Sequence, residues 1–187
     1  MPGYSYSLPA SMCPVGSKLR LIPHSTCSKC YAFRGHYNYN NVKNSLAKRL
    51  ESLNDLPKWI SCMSWLINHT GTTHFRWHDS GDIQSTAHLE AIIAVCDNTK
   101  QVSHWLPTRE YHVVTKWLKS HTTPANLIIR LSAPMLMKPP PNLNGCHTST
   151  VGASIGYACP AHDQNDECQS CRACWDKDIP NVDYRPH

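Results

Sequence analysis

Three strands alternating with two helices predict an α/β fold with a parallel sheet. The runs Thr72–His78, Gln101–Leu106 and Asn126–Leu131 are rich in β-branched and aromatic residues, each ends on a polar loop, and helix-period apolar residues separate them. Strands joined through helices at this spacing require right-handed crossovers, which set the strands side by side with the helices outside them. The expected architecture is a partial (β/α) barrel or an open parallel sheet, with a cysteine-rich C-terminal lobe organised by metal.

Taken in order, the chain opens on a Ser-, Pro- and Gly-rich arm, residues 1–24, with a short strand expected around Lys18–Ile22. Past the turn-forming stretch CSKCYAFRGHYNYNN, Val42, Leu46, Leu50 and Leu53 mark one face of a helix over about 40–53. Asn54-Asp55-Leu56-Pro57 then supplies a cap, and Trp59, Ile60, Met63, Leu66 and Ile67 carry a second helix to about His69. The alternating strand Thr72–His78 runs into Asp79-Ser80-Gly81-Asp82, and Ser85 caps a helix bearing Leu89, Ile92, Ile93 and Cys96. After Gln101–Leu106, Thr108 is expected to cap the helix of Val113, Val114, Trp117 and Leu118, and Asn126–Leu131 follows as the third strand. A Pro-rich loop, Lys138–Pro141, and a weak strand near Thr150–Ser154 lead to a tail without periodicity. At 187 residues a single domain is expected: a cysteine-bearing arm and turn (1–39), a βα body (40–158) and a cysteine-rich tail (159–187).

Hydrophobic residues make up 41% and charged residues 17%, the balance of a soluble globular protein. No apolar run approaches the ~18 residues of a membrane span and no secretory leader is recognisable, so no membrane partner is expected and the location expected is the cytosol. The net charge of +5 is uneven: residues 1–158 hold fifteen Lys and Arg against seven Asp and Glu, and residues 159–187 hold three against six. A basic body permits contact with nucleic acid, although solubility alone accounts for a charge of this size.

In a reducing compartment ten cysteines are not a disulfide framework, and their clustering points to metal. Cys27 and Cys30 form a CxxC turn just ahead of the first helix, with Cys13 upstream across thirteen intervening residues. Cys159, Cys168, Cys171 and Cys174 follow a CPx7CxxCxxCW pattern. Two thiols three residues apart grip a soft metal best as thiolates. CxxCxxC is a frequent spacing for a [4Fe-4S] cluster, whereas structural zinc more often uses two separated CxxC pairs. A [4Fe-4S] cluster is therefore expected, with zinc as the alternative. A single cluster joining the two ends of the chain explains why both carry thiols; a cluster of the four tail cysteines alone is the other arrangement.

In parallel sheets, ligands gather at the C-terminal ends of the strands. The loops there carry His78, Asp79, Ser80 and Asp82, then Arg109 and Glu110, and Arg130 lies in the last strand. These are the candidates for a ligand pocket for a small molecule. The His-Asp-Ser-Gly-Asp run also reads as a tight turn with a helix cap. Arg130, between Ile129 and Leu131, needs a partner, either a carboxylate such as Asp79 or Asp82 or an anionic ligand.

The run CSKCYAFRGHYNYNNV, followed by FRWHDSGD, HWLPTRE and CRACW, resembles a family of small tailed-phage proteins of the mycobacteriophage gene-product type, over most of the chain. The resemblance implies a phage-encoded protein acting in the cytoplasm of the infected host cell. A cysteine turn followed by a helix and βα units is also loosely similar to radical-SAM enzymes. Those usually carry CxxxCxxC; here Cys13, Cys27 and Cys30 give Cx13CxxC, and no Gly-Gly-Glu follows the next strand, although Gly81-Asp82 lies in a comparable place. The likeness implies a cluster-dependent redox or radical reaction with S-adenosylmethionine as a possible cofactor. The alternative is a non-catalytic module, stapled by zinc or a cluster, that binds nucleic acid or a host protein.

Overall fold

The structure, a computed structural model, describes every residue except Met1, Pro141, Asn144 and His187, so Pro141 of the expected proline-rich loop lies outside the described residues. Strands β1 (Tyr4–Tyr6), β2 (His74–Trp77), β3 (Ser103–Thr108), β4 (Leu127–Ser132), β5 (His147–Val151), β6 (Tyr157–Ala158) and β7 (Asn181–Tyr184) form one open sheet in the order β1-β2-β3-β4-β5-β7-β6. Every pairing is parallel. The helices are α1 (Gly16–Leu19), α2 (Asn40–Glu51), α3 (Leu56–His69), α4 (Thr86–Asn98) and α5 (Tyr111–Leu118).

The α/β class is as the sequence predicts, and so are α2 to α5, because their apolar faces recur at helical period. Asp55 accepts a hydrogen bond from the Lys58 N–H at the start of α3, and Ser85 accepts one from the His88 N–H at the start of α4. Thr108 departs from expectation. It ends β3, and its hydroxyl donates to Asp82 and accepts from the Glu110 N–H instead of capping α5. Lys18–Ile22 is not a strand either: Gly16–Leu19 is a helical turn, and Leu21 is 83% exposed. The edge position beside β2 is held by Tyr4–Tyr6, and the N–H groups of Leu19 to Ile22 are taken up by helical and turn bonds to carbonyls three or four residues back. The tail also departs from its reading as an aperiodic lobe, since β7 lies within it and joins the sheet between β5 and β6.

The two faces of the sheet are covered differently. Phe75, Trp77, Leu106, Leu127, Ile129 and Leu131 point into the main core with Trp59, Ile67, Leu89, Ile92 and Val114 from the helices. The alternate residues Trp105 and Ile128 pack instead against Ala173, Cys174 and Val182 of the tail. Trp175 lies across this second face, its indole donating to the Phe75 carbonyl at 3.0 Å and its ring standing edge-on to His74 and Trp105. All six residues of β4 are therefore buried, as in sheets covered on both sides.

Arg130 holds the tail in place. Fully buried, it donates to the carbonyls of Cys174 (3.0 Å), Ala173 (2.9 Å), Asp176 (2.7 Å), Ile179 (2.8 Å) and Thr148 (3.4 Å). No carboxylate lies within salt-bridge distance of it among the described residues. Arg130→Leu strands these carbonyls and is expected to cost on the order of 3–5 kcal/mol, read as a fall in melting temperature of about 10 °C. A fall of only a degree or two means that the tail is held by something else.

Buried histidines make the core pH-sensitive. His88 and His104 are each about 1% exposed, and burial pushes both down to about 4 from the ordinary 6.5. The fold keeps them neutral while the unfolded chain takes up protons below pH 6.5, so stability is lost as the pH falls from about 6.5 toward about 4. Each contributes on the order of 3 kcal/mol to that loss. Thermal melts between pH 7 and 4.5 are expected to show the decline, with a shallower slope in His104→Asn.

Candidate metal centres on the rim and the helix-free face of the sheet

The loops after β2 and β3 form a rim, and on it lies the N-terminal arm with its three cysteines. Asp79 accepts hydrogen bonds from the Tyr37 hydroxyl (2.6 Å) and from Arg76 (2.8 Å), and the Tyr31 hydroxyl bonds to the Asp79 carbonyl. Those two tyrosines flank the segment that follows Cys30. Glu110 accepts the Val15 N–H at 2.9 Å, between Cys13 and Gly16. Arg109 donates through Nε and Nη2 to the Thr26 hydroxyl, next to Cys27, which in turn donates to the Ala133 carbonyl. Asp82, 5% exposed, accepts from Thr108 (2.5 Å), the Arg109 N–H (2.9 Å) and the Ile83 N–H (2.8 Å); burial nonetheless raises its pKa. Gly81 lets the loop reach the arm: at φ +82° it packs so close to Leu8 that a Cβ there would fall 2.5 Å from the Leu8 Cβ.

Of the rim candidates, Asp79, Asp82, Arg109 and Glu110 are brought together, each bonded into the arm or the loop beneath it. Ser80 is buried and donates to the Leu8 carbonyl. His78 turns away. Its φ of +57° breaks the strand alternation, and its ring, 3% exposed, enters the helix-side core beside Tyr6 and His88. Arg130 does not join the rim; its partners are the tail carbonyls, neither a rim carboxylate nor a ligand.

The cysteines fall into two groups. On the rim, the Cys13 and Cys27 sulfurs lie 3.5 and 3.6 Å from the position a Cβ would take on Gly16, so the absence of a side chain keeps the space beside both thiols open. Burial first, then Asp82 and the thiols of Cys27 and Cys30, pushes Cys13 up to about 12; burial likewise raises Cys27, with Arg109 opposing. In the tail, Cys159, Cys168, Cys171 and Cys174 line one small cavity on the helix-free face. The Tyr184 hydroxyl lies 3.1 Å from the Cys174 sulfur and the Tyr157 hydroxyl 3.6 Å from that of Cys171. Burial raises Cys174 to about 11 despite the Tyr184 bond, and raises Cys159. Buried thiols repelling one another's charge are neutral on their own; a bound cation reverses that balance and releases their protons.

Among the described residues no three His, Cys, Asp or Glu side chains are gathered closely enough to hold one metal ion. A single tetrahedral zinc asks for sulfurs about 3.8 Å apart, since each is ~2.3 Å from the metal. Thiolates on separate corners of a four-iron cluster stand farther apart, so a looser set serves a cluster.

The gene product 88 family model matches residues 1–177, and so spans the arm, the rim loops and the tail cysteines. The chain belongs to the gene product 88 family. No curated protein and no solved structure matches it. Membership agrees with the phage gene-product character that the CxxCYA, HDSGD and CxxCW motifs suggest. Among the described residues no helix of this gene product 88 protein is long and apolar enough to cross a membrane.

Several members of the site were not recognised from sequence. Tyr31 and Tyr37 lie inside the quoted motif, but nothing in their spacing shows that they bond Asp79. Thr26 sits beside Cys27, and Tyr157 and Tyr184 beside the tail thiols, without a motif of their own. Because Asp79 ties the segment after Cys30 to β2, Asp79→Ala is expected to speed amide exchange over residues 31–38 by at least tenfold while α4 and α5 keep wild-type protection. Unchanged exchange there would mean that the tyrosine bonds do not hold the arm.

Proposed function

We propose that this protein binds two iron-sulfur clusters, one held by Cys159, Cys168, Cys171 and Cys174 in the tail and one by Cys13, Cys27 and Cys30 on the rim. The observation that carries the reading is the tail group: four thiols around one cavity, with the fully buried Arg130 behind them and no carboxylate in salt-bridge contact with it. Burial lowers the pKa of that guanidinium, with Tyr184, Cys174 and Asp176 opposing the shift. A [4Fe-4S] cluster on four thiolates is an anion, and it would supply the missing counter-charge. This supports two centres in place of the single shared cluster expected from sequence.

The rim set supplies three thiolates and leaves one iron corner without a protein ligand, at the strand ends where parallel sheets bind small molecules. S-adenosylmethionine, whose amino and carboxylate groups chelate, is the ligand this corner suits. A cluster there supplies single electrons for redox or radical chemistry. The chain's own part is to fix the thiols: Arg109 and Thr26 orient the Cys27 turn, Glu110 holds the backbone between Cys13 and Gly16, and Asp79 anchors Tyr31 and Tyr37. That each of these side chains is engaged by the arm favours a second reading, in which the rim metal is a staple in a non-catalytic module.

Anaerobic reconstitution with iron and sulfide is expected to give a brown protein with about eight iron and eight sulfide per chain. Cys168→Ser with Cys171→Ser, and separately Cys27→Ser with Cys30→Ser, are each expected to halve that content. A colourless, zinc-loaded protein without sulfide sinks the reading. After one-electron reduction with dithionite, which makes the clusters paramagnetic, addition of S-adenosylmethionine is expected to shift the electron paramagnetic resonance of the rim cluster alone; no shift favours the staple.

A further inference from the structure

The first fifty residues contain seven Lys and Arg and not one Asp or Glu. All seven cations are exposed, and none is within 4.0 Å of a carboxylate among the described residues. Four of them, Lys18, Arg20, Lys29 and Arg34, belong to the arm laid across the rim. The rim's acids do not offset them at the surface: Asp82 and Glu110 are buried, and Asp79 is paired with Arg76. The six acidic residues of 159–187 lie more than a hundred residues from this arm in sequence, and none of them pairs with its cations among the described residues. The arm therefore presents outward positive charge with its compensating groups turned inward.

Aromatic rings stand among these cations. Tyr31 is 46% and Tyr39 57% exposed, and His36 packs edge-on to Tyr39 at 5.3 Å. The Arg20 guanidinium rests 3.9 Å over the Phe33 ring, leaving its charge at the surface without an ionic partner. Exposed rings cost hydration and are common where a flat apolar group stacks on them. A row of unpaired cations tracks phosphates, and rings between them stack bases, which only an unpaired strand offers.

We propose that the arm surface formed by Lys18, Arg20, Lys29, Arg34, Tyr31 and Tyr39 binds single-stranded nucleic acid, running the strand past the rim cysteines. An acidic protein would meet the charge but has no flat bases to cover Tyr39, and a duplex keeps its bases stacked inside. The surface does not depend on what metal the thiols hold.

The test uses the full-length protein and fluorescein-labelled dT20, rU20 and a 20-base-pair duplex, followed by anisotropy across a salt series. With four phosphate contacts the logarithm of affinity should fall with that of salt at a slope of about −3 for the single strands. In Lys18→Gln/Lys29→Gln/Arg34→Gln, three exposed positions, the slope should flatten to about −1 with at least a tenfold loss of affinity at unchanged melting temperature. Tyr39→Ala should weaken the single strands about tenfold, and Tyr39→Phe should restore them. The ratio of dT20 to rU20 affinity tells DNA from RNA. Wild-type binding by the triple variant overturns the proposal. So does duplex binding as tight as single-strand binding with Tyr39→Ala silent, or equal competition by polyglutamate, which assigns the face to an acidic protein. Iron counted on the same samples keeps the two readings apart: strand binding without iron sinks the cluster reading alone, and iron without strand binding sinks this one alone.

Discussion

One guanidinium sets the form of this molecule. Arg130 sits between Ile129 and Leu131 in a fully buried strand, and its donors go to five backbone carbonyls, four of them in the tail. Moving such a charge out of water costs several kcal/mol unless its hydrogen bonds are remade. The carbonyls remake them, and in doing so fix residues 173–179 against the face of the sheet that no α-helix covers. From that one contact follow the burial of Trp105 and Ile128, the position of Trp175 across β2 and β3, and the cavity shared by the tail cysteines.

The rim is built on the reverse logic. There the buried groups are acids and the exposed ones cations. Asp82 loses hydration but gains two N–H donors and the Thr108 hydroxyl, and Glu110 closes on a backbone N–H of the arm. Because α1 is a single turn and the cysteine loop has little regular structure, these side chains supply much of what holds the thiols near one another. Carboxylates that look like a pocket in sequence thus serve as clamps, and the arm they clamp becomes the outer surface of the rim.

The contrast in legibility is physical. Helices α2 to α5 and strands β2 to β4 could be read because a face repeated over several residues leaves a period, and Ser85 and Asp55 could be read as caps because capping is local. Strands β1 and β6 span only three and two residues, too few to show any alternation, and the four-residue β7 lacks the neighbouring α-helix that marks β2 as part of a βα unit. Lys18–Ile22 has strand composition, but its N–H groups close on Val15, Gly16, Lys18 and Leu19 in local turns, and Tyr4–Tyr6 pairs with β2 in its stead. His78 was drawn to the rim by its place in HDSGD and turned from it by a left-handed φ, which composition does not reveal.

By itself the sequence determined the class of fold, the succession of βα units, and that the cysteines come in clusters at both ends, because each of these is written in spacing along the chain. It also marked Arg130 as a residue needing a partner. Tertiary structure alone decided who the partner is, that the two cysteine groups occupy different surfaces, and that Asp79, Arg109 and Glu110 grip the arm while Asp82 braces the loops beneath it. The reason is that these choices depend on contacts between segments in places a hundred or more residues apart, such as Trp175 with Phe75 and Thr26 with Ala133, and such contacts leave no local period to read.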